Sequence, residues 1–114
     1  MQIHRTNGQW FSAEYSTFSV TDEVGKYQLT VAGYSGDAGD AIVGGEQPNN
    51  GMKFTTPDSD NDSWASGNCG IDHGAGWWYR HCSTSELNQD IDGVWKTVGV
   101  VRDVRDSRML VKLD

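Results

Sequence analysis

The stretch Thr55–Cys82, TTPDSDNDSWASGNCGIDHGAGWWYRHC, holds the most distinctive chemistry of the sequence. It contains an acidic run (Asp58-Ser59-Asp60-Asn61-Asp62), both cysteines (Cys69 and Cys82), the tandem Trp77-Trp78, and two of the three histidines, His73 and His81. Carboxylates at alternate positions can converge on one hard cation, because Ca²⁺ takes several oxygen ligands in a flexible shell. The run resembles the start of an EF-hand loop but departs from it twice. Ser63 stands where that loop needs its glycine, and Cys69 stands where it needs a bidentate glutamate. Pattern alone favours a solvated acidic turn, since Asp, Asn and Ser are turn residues. Cysteine count alone leaves a disulfide and two reduced buried thiols equally supported. Cys69, His73, His81 and Cys82 also match a zinc ligand set in number.

Working outward, 114 residues make one domain at most. A net charge of −7 argues against nucleic acid, whose binding needs a basic face to replace counterions. It argues equally against an anionic membrane surface. No apolar run is long enough for a membrane span, and nothing in the sequence resembles a signal peptide. Catalytic signals are poor: neither a G-x-S-x-G elbow nor H-E-x-x-H occurs, and Asp72-His73 are sequence neighbours that cannot orient a base toward a nucleophile. The chain therefore reads as non-enzymatic. GDAGDA at 36–41 lacks the lysine of a phosphate-binding loop.

Upstream, the alternation predicts sheet. Gln2–Gln9 reads as a strand end with a turn at Asn7-Gly8. Ala13–Val20 reads as a strand burying Tyr15, Phe18 and Val20, with a bulge where Tyr15 and Phe18 fall out of step. Asp22–Gly25 is the hairpin turn. Lys26–Ala32 alternates with Tyr27, Leu29 and Val31 on the buried face. Gly33–Gly45 reads as loop, Glu46–Asn88 as loops and short turns, and Gln89–Gly93 as polar linker. Val94–Val101 reads as a short strand. Arg102–Arg108, with its alternating charges, reads as a solvated turn or exposed helix face. Met109–Leu113 alternates again, with Met109, Val111 and Leu113 on one side. Long helices are not signalled.

A series of motifs, in order, carries a family resemblance: AEYSTFSV, YQLTVAGYSGDAGDAI, NGMKFTTPDSDND, GNCG, GAGWWYRHC and Leu87-Asn88. The chain resembles the C-terminal half of a fibrinogen-related domain. The resemblance implies an α+β fold with a small antiparallel sheet and a loop-rich calcium-binding lobe, truncated at the N-terminus. It divides the chain into 1–45 (sheet-forming), 46–93 (calcium and ligand lobe) and 94–114 (closing strand). In the family, Trp95 and Met109 belong to the segment that returns to the sheet. Half a domain implies unpaired edges, an uncovered Tyr27/Leu29/Val31 face, and a tendency to aggregate.

The resemblance also implies sites. Cys69 and Cys82 pair as a disulfide, placing the chain in an oxidising, extracellular setting. Asp60 and Asp62 give carboxylates to Ca²⁺, and Trp64 and Ser66, with Ala65 as alternative, give carbonyls, in a loop one residue longer than in fibrinogen's own chains. Asp58 reads as a turn-former, or as a group that supports the ligands from behind. One of the two tandem tryptophans is buried under the disulfide loop. The ligand pocket of the family's lectin members corresponds to His73, Tyr79, His81, Cys82 and Trp95, with a cis His81–Cys82 peptide whose amides face the ligand. Two departures stand out. Ser83 replaces a common histidine, and the segment from Leu87 to Trp95 is shortened where the family has a pocket tyrosine. The implied function is a secreted, calcium-dependent recognition module that binds acetylated glycans in innate immunity or adhesion. The alternatives are a protein–protein module of the fibrinogen, tenascin or angiopoietin kind, or a non-functional fragment. Oligomerisation would come from segments outside this chain.

Overall fold

The computed structural model describes residues 1–5, 8–88, 94–96 and 104–112. A four-stranded antiparallel sheet is built from β1 (Gln2–Arg5), β2 (Trp10–Val20), β3 (Leu29–Gly36) and β6 (Val104–Arg108), in the order β3-β2-β1-β6. A second, two-stranded ladder pairs β4 (Ser85–Glu86) with β5 (Val94–Trp95). Between β3 and β4 lies the lobe, whose one helix among the described residues is α1 (Cys69–His73).

β2 is longer than the sequence suggests, and its buried face differs. Ala13 is fully buried and Tyr15 half-buried, whereas Phe18 and Val20 are 36% and 44% exposed. Phe18 instead meets the edge of the Trp78 ring at 6.4 Å. The expected bulge is absent here. Tyr15 faces Tyr34 and Thr17 faces Ala32 at one constant register, so no residue is inserted. Gly33 makes the adjustment opposite Ser16. It takes φ 75°, and a Cβ there would lie 1.8 Å from the Ser16 hydroxyl oxygen, so only glycine fits. The sheet's irregularity lies elsewhere, between β1 and β6: His4 faces Asp106, then Arg5 faces Val104, with a register shift between them.

β3 begins at Leu29, not Lys26. Lys26 and Tyr27 sit at φ 57° and 55°, in a turn closed by Lys26 N–H to Glu23 O (3.0 Å) and Tyr27 N–H to Asp22 O (3.1 Å). The Asp22 carboxylate accepts Gly25 N–H at 3.0 Å. A left-handed residue breaks the strand's alternation, so Tyr27 is turned out while Leu29 and Val31 stay buried. The face expected to be uncovered is therefore mostly covered. At the other end, β3 runs on through Gly33–Gly36, which reads as loop in the sequence.

The largest correction concerns the C-terminal part. Val104–Arg108 is a strand, neither turn nor helix, and it pairs antiparallel with β1. At a sheet edge both faces can stay solvated, and charges there discourage further pairing. Its apolar–polar alternation is therefore weak, and Val104 alone is buried. Met109–Lys112 carries no strand, and Met109, Leu110 and Val111 are 37%, 68% and 59% exposed. The expected strand from Val94 is seen as β5; positions 97–101, the linker at 89–93, Asn7 and Leu113 lie outside the described residues.

One core joins sheet and lobe: Ala13, Leu29, Val31, Ala38, Ala41, Ile42, Cys69, Trp77, Tyr79, Trp95 and Val104. Of the tandem tryptophans, Trp77 is buried, its indole N–H donating to Ser85 O at 2.8 Å. Trp78 is half-buried and donates to Tyr27 O at 2.9 Å.

Candidate functional site

The acidic run folds as consecutive turns: Thr56 and Ser59 exchange backbone hydrogen bonds at 3.0 Å, and side chains close the rest. The Thr56 hydroxyl donates to Asp58 Oδ1 at 2.6 Å. That bond, followed by Asp58's own amide, holds the Asp58 carboxyl below its ordinary value. Asp58 is thus occupied as a turn-former. Asn61 ties the run to the lobe, its amide donating to Phe54 O at 2.9 Å and to Ser59 Oγ at 3.1 Å.

Asp62 has a structural role of its own. Its Oδ1 accepts Trp64 N–H and its Oδ2 accepts Cys69 N–H, each at 2.8 Å. It therefore fastens the acidic loop to the first residue of α1. Asn68 caps that helix, accepting Ile71 N–H at 3.2 Å, and Gly74 ends it at φ 77°. A short helix between an Asx cap and a left-handed glycine is readable from Asn68 and Gly74, where glycine content otherwise points to loops.

A hard cation fits the chemistry of this loop. Asp60 is exposed and Asp62 half-buried, and Asp62 N–H lies 3.4 Å from Asp60 Oδ1. The Asp60 carboxylate thus lies against the backbone of Asp62, while the Asp62 carboxylate turns to the amides of Trp64 and Cys69. Each carboxylate oxygen has a second lone-pair direction beyond the amide it accepts. Among the described residues no group of three or more His, Cys, Asp or Glu side chains is placed to hold a metal, so backbone carbonyls or water would have to complete a shell. Trp64 O accepts Gly67 N–H at 3.3 Å, and Ser66 is exposed beside it.

Cys69 and Cys82 are bonded to each other, with Cα atoms 5.7 Å apart. The bond removes both sulfurs as zinc ligands, so the Cys₂His₂ alternative fails. The peptide between His81 and Cys82 is cis. His81 is exposed, and its ring stacks on Trp64 with centroids 5.2 Å apart and planes 12° from parallel. Its N–H is already engaged, donating to Gln47 Oε1 at 3.1 Å.

The remaining expected ligand residues divide between surface and core. His73 is 26% exposed, with Nδ1 2.6 Å from Glu86 Oε2 and Nε2 3.6 Å from Asp72 Oδ2. The Nδ1–Glu86 approach is a close polar contact without the alignment of a good hydrogen bond. Glu86 itself is 1% exposed. The Tyr79 hydroxyl lies 2.8 Å from both Ala75 O and Glu86 Oε1, and its single proton serves one acceptor at a time. Burial, and then the Glu86 charge, push the Tyr79 phenol far above its ordinary value. Tyr79 and Trp95 are both 0% exposed. Trp95 donates its indole N–H to Ala38 O at 3.0 Å and to Gly39 O at 3.2 Å. Both rings are therefore core, not pocket wall, because a large aromatic with a satisfied polar tip is most stable there. His73, His81 and the half-buried Cys82 are left near the surface.

Sequence reasoning misses Glu86 and Gln47. Neither stands in a motif, and both act through partners distant in the chain.

Comparisons with known proteins give the family and the fold. A family model described as the C-terminal globular domain of the fibrinogen beta and gamma chains matches residues 1–102. Human fibroleukin is 46% identical over 83 residues, covering 72% of this chain and 19% of that protein. The human fibrinogen gamma chain is 40% identical over 99 residues, covering 77% and 22%. The chain thus spans about a fifth of the length of these relatives. Among solved structures, the fibrinogen-like globe domain of human ANGPTL6 superposes with a TM-score of 0.78 at 30% identity, over 91% of this chain and 50% of that one. A lamprey fibrin D-dimer complexed with the peptide Gly-His-Arg-Pro-amide superposes with a TM-score of 0.71 at 31% identity, over 75% and 30%.

Proposed function

The chain belongs to the family of the fibrinogen C-terminal globular domain, and from that premise we propose that it is an extracellular recognition module. Its partner is a peptide or protein segment, bound on the lobe face around His73 and His81–Cys82. The observation that carries the peptide reading is the burial of Tyr79 and Trp95. An acetyl group needs apolar walls to remove its methyl from water, and the two aromatics expected to supply them are inside the core. A peptide can instead bind through backbone hydrogen bonds to exposed loops. The peptide complex of the lamprey relative supports the same ligand class. With a net charge of −7, a basic segment is the favoured partner, since complementary charge speeds and orients encounter.

Calcium belongs to this reading. Asp60 and Asp62 would hold it through their carboxylates, and Trp64 and Ser66 through their carbonyls. A bound Ca²⁺ would offset negative charge of the acidic run and brace the loop that Asp62 fastens to α1. The extracellular setting is supported by the Cys69–Cys82 bond, since such bonds persist in oxidising compartments. No helix among the described residues is long and apolar enough to cross a membrane.

The test is peptide display against the immobilised protein in calcium, eluted with chelator, run beside retention on N-acetylglucosamine resin. Enrichment of basic peptides released by chelator is expected. Retention on the resin, released by free sugar, would transfer the ligand to the glycan class. No enrichment and no retention would sink the recognition reading and leave a non-functional fragment.

A further inference from the structure

The loop at Gln47–Asn50 is strapped across the Trp78–Thr84 segment by several hydrogen bonds. Gln47 N–H donates to Thr84 Oγ1, and Thr84 N–H donates to Gln47 O, both at 2.9 Å. Arg80 donates Nε to Pro48 O at 2.9 Å and Nη2 to Asn50 O at 3.1 Å. Asn49, fully buried, donates to Trp78 O at 2.9 Å and to Ser83 Oγ at 2.8 Å. Against this fixed backbone, one contact differs in kind. The Gln47 side-chain oxygen accepts the exposed His81 N–H, at 3.1 Å, across 34 residues of sequence.

We propose that the Gln47 carboxamide is an internal occupant of the recognition site, holding the His81 N–H until a partner's peptide carbonyl displaces it. The inference rests on the reading of the His81–Cys82 face as that site. A carboxamide oxygen and a peptide carbonyl oxygen are the same kind of acceptor, and a single N–H donor serves one of them well. Gln47's backbone stays pinned by Thr84 when the side chain leaves, so release needs only rotamer changes at one half-buried residue. In the free state the donor is thus held by Gln47 rather than by water. A partner must make its carbonyl bond while one of equal kind is broken, so Gln47 sets an affinity threshold and favours ligands that add contacts beyond a single carbonyl.

Two variants test this. Gln47→Met keeps the length without an acceptor, and Gln47→Asn keeps the carboxamide on a stem too short to reach. Both leave the backbone bonds to Thr84 in place, so melting temperature should change little. Amide hydrogen exchange at His81 should quicken in both. Binding of Gly-His-Arg-Pro-amide, measured by calorimetry in calcium, should tighten about fivefold in both, the worth of one neutral hydrogen bond. Equal affinity in all three proteins, weaker binding by the variants, or unchanged exchange at His81 would overturn the proposal while leaving the recognition reading intact. No binding by any form, together with an empty display selection, would remove both.

Discussion

Asp62 should prove a fold-holding residue independently of calcium, and Asp60 should not. In Asp62→Ala, the N–H groups of Trp64 and Cys69 lose their acceptors, both at 2.8 Å and both partly buried. Hydrogen bonds to a charged group contribute about 1.5–3 kcal/mol each in favourable settings. The loop is half-exposed, and water can partly replace what is lost, so the pair should cost about 2–4 kcal/mol. For a domain of this size that lowers the melting temperature by roughly 8–17 °C. Asp60→Ala removes one long contact of 3.4 Å at an exposed side chain, and such changes usually stay within about 0.5 kcal/mol. Calcium then adds a separate increment: at a free concentration about a hundred times its dissociation constant, about 2.7 kcal/mol. The assay is thermal melting of the natural protein and both variants, each in chelator and in saturating calcium. In chelator, Asp62→Ala should melt well below the other two. In calcium, only the natural protein should gain. Equal melting of Asp60→Ala and Asp62→Ala in chelator would refute the anchoring role. A natural protein indifferent to calcium would refute the cation site and leave the anchor standing.

Two further outcomes are expected. Trp95→Phe should destabilise the fold by about 1–3 kcal/mol, because it leaves a void and strips a donor from Ala38 O and Gly39 O. It should leave peptide affinity unchanged once the protein is folded, and a loss of affinity without a loss of stability would return Trp95 to the ligand site. The protein unfolded without reductant should show no titratable thiol, and replacing Cys69 and Cys82 together by Ser should cost about 3 kcal/mol in the chain-entropy model. Two reactive thiols, or an unchanged denaturant midpoint, would contradict that.

Local chemistry is legible in the sequence alone. The order of motifs identifies the family, and the acidic run announces its capped turns. Leu29 and Val31 mark the buried face of β3, since period-two alternation is a property of a few consecutive residues. Asn68 and Gly74 bracket α1 in the same local way, although the glycines around them argue for loop. What escapes the sequence is decided by partners far apart in the chain. β6 is a strand because β1 offers it an edge, and its charges disguise it because an edge strand need not bury either face. Phe18 is left half out because, with no bulge in β2, alternation puts it on the face opposite Ala13 and Tyr15. Tyr79 and Trp95 look alike as core residues or binding walls, because a large aromatic ring suits both. Only the closing of sheet on lobe puts them inside, beside a buried Glu86 that no motif marks. The Gln47–His81 bond is of the same kind: each residue is unremarkable in its own segment, and the bond exists because Thr84, Asn49 and Arg80 hold two distant loops together.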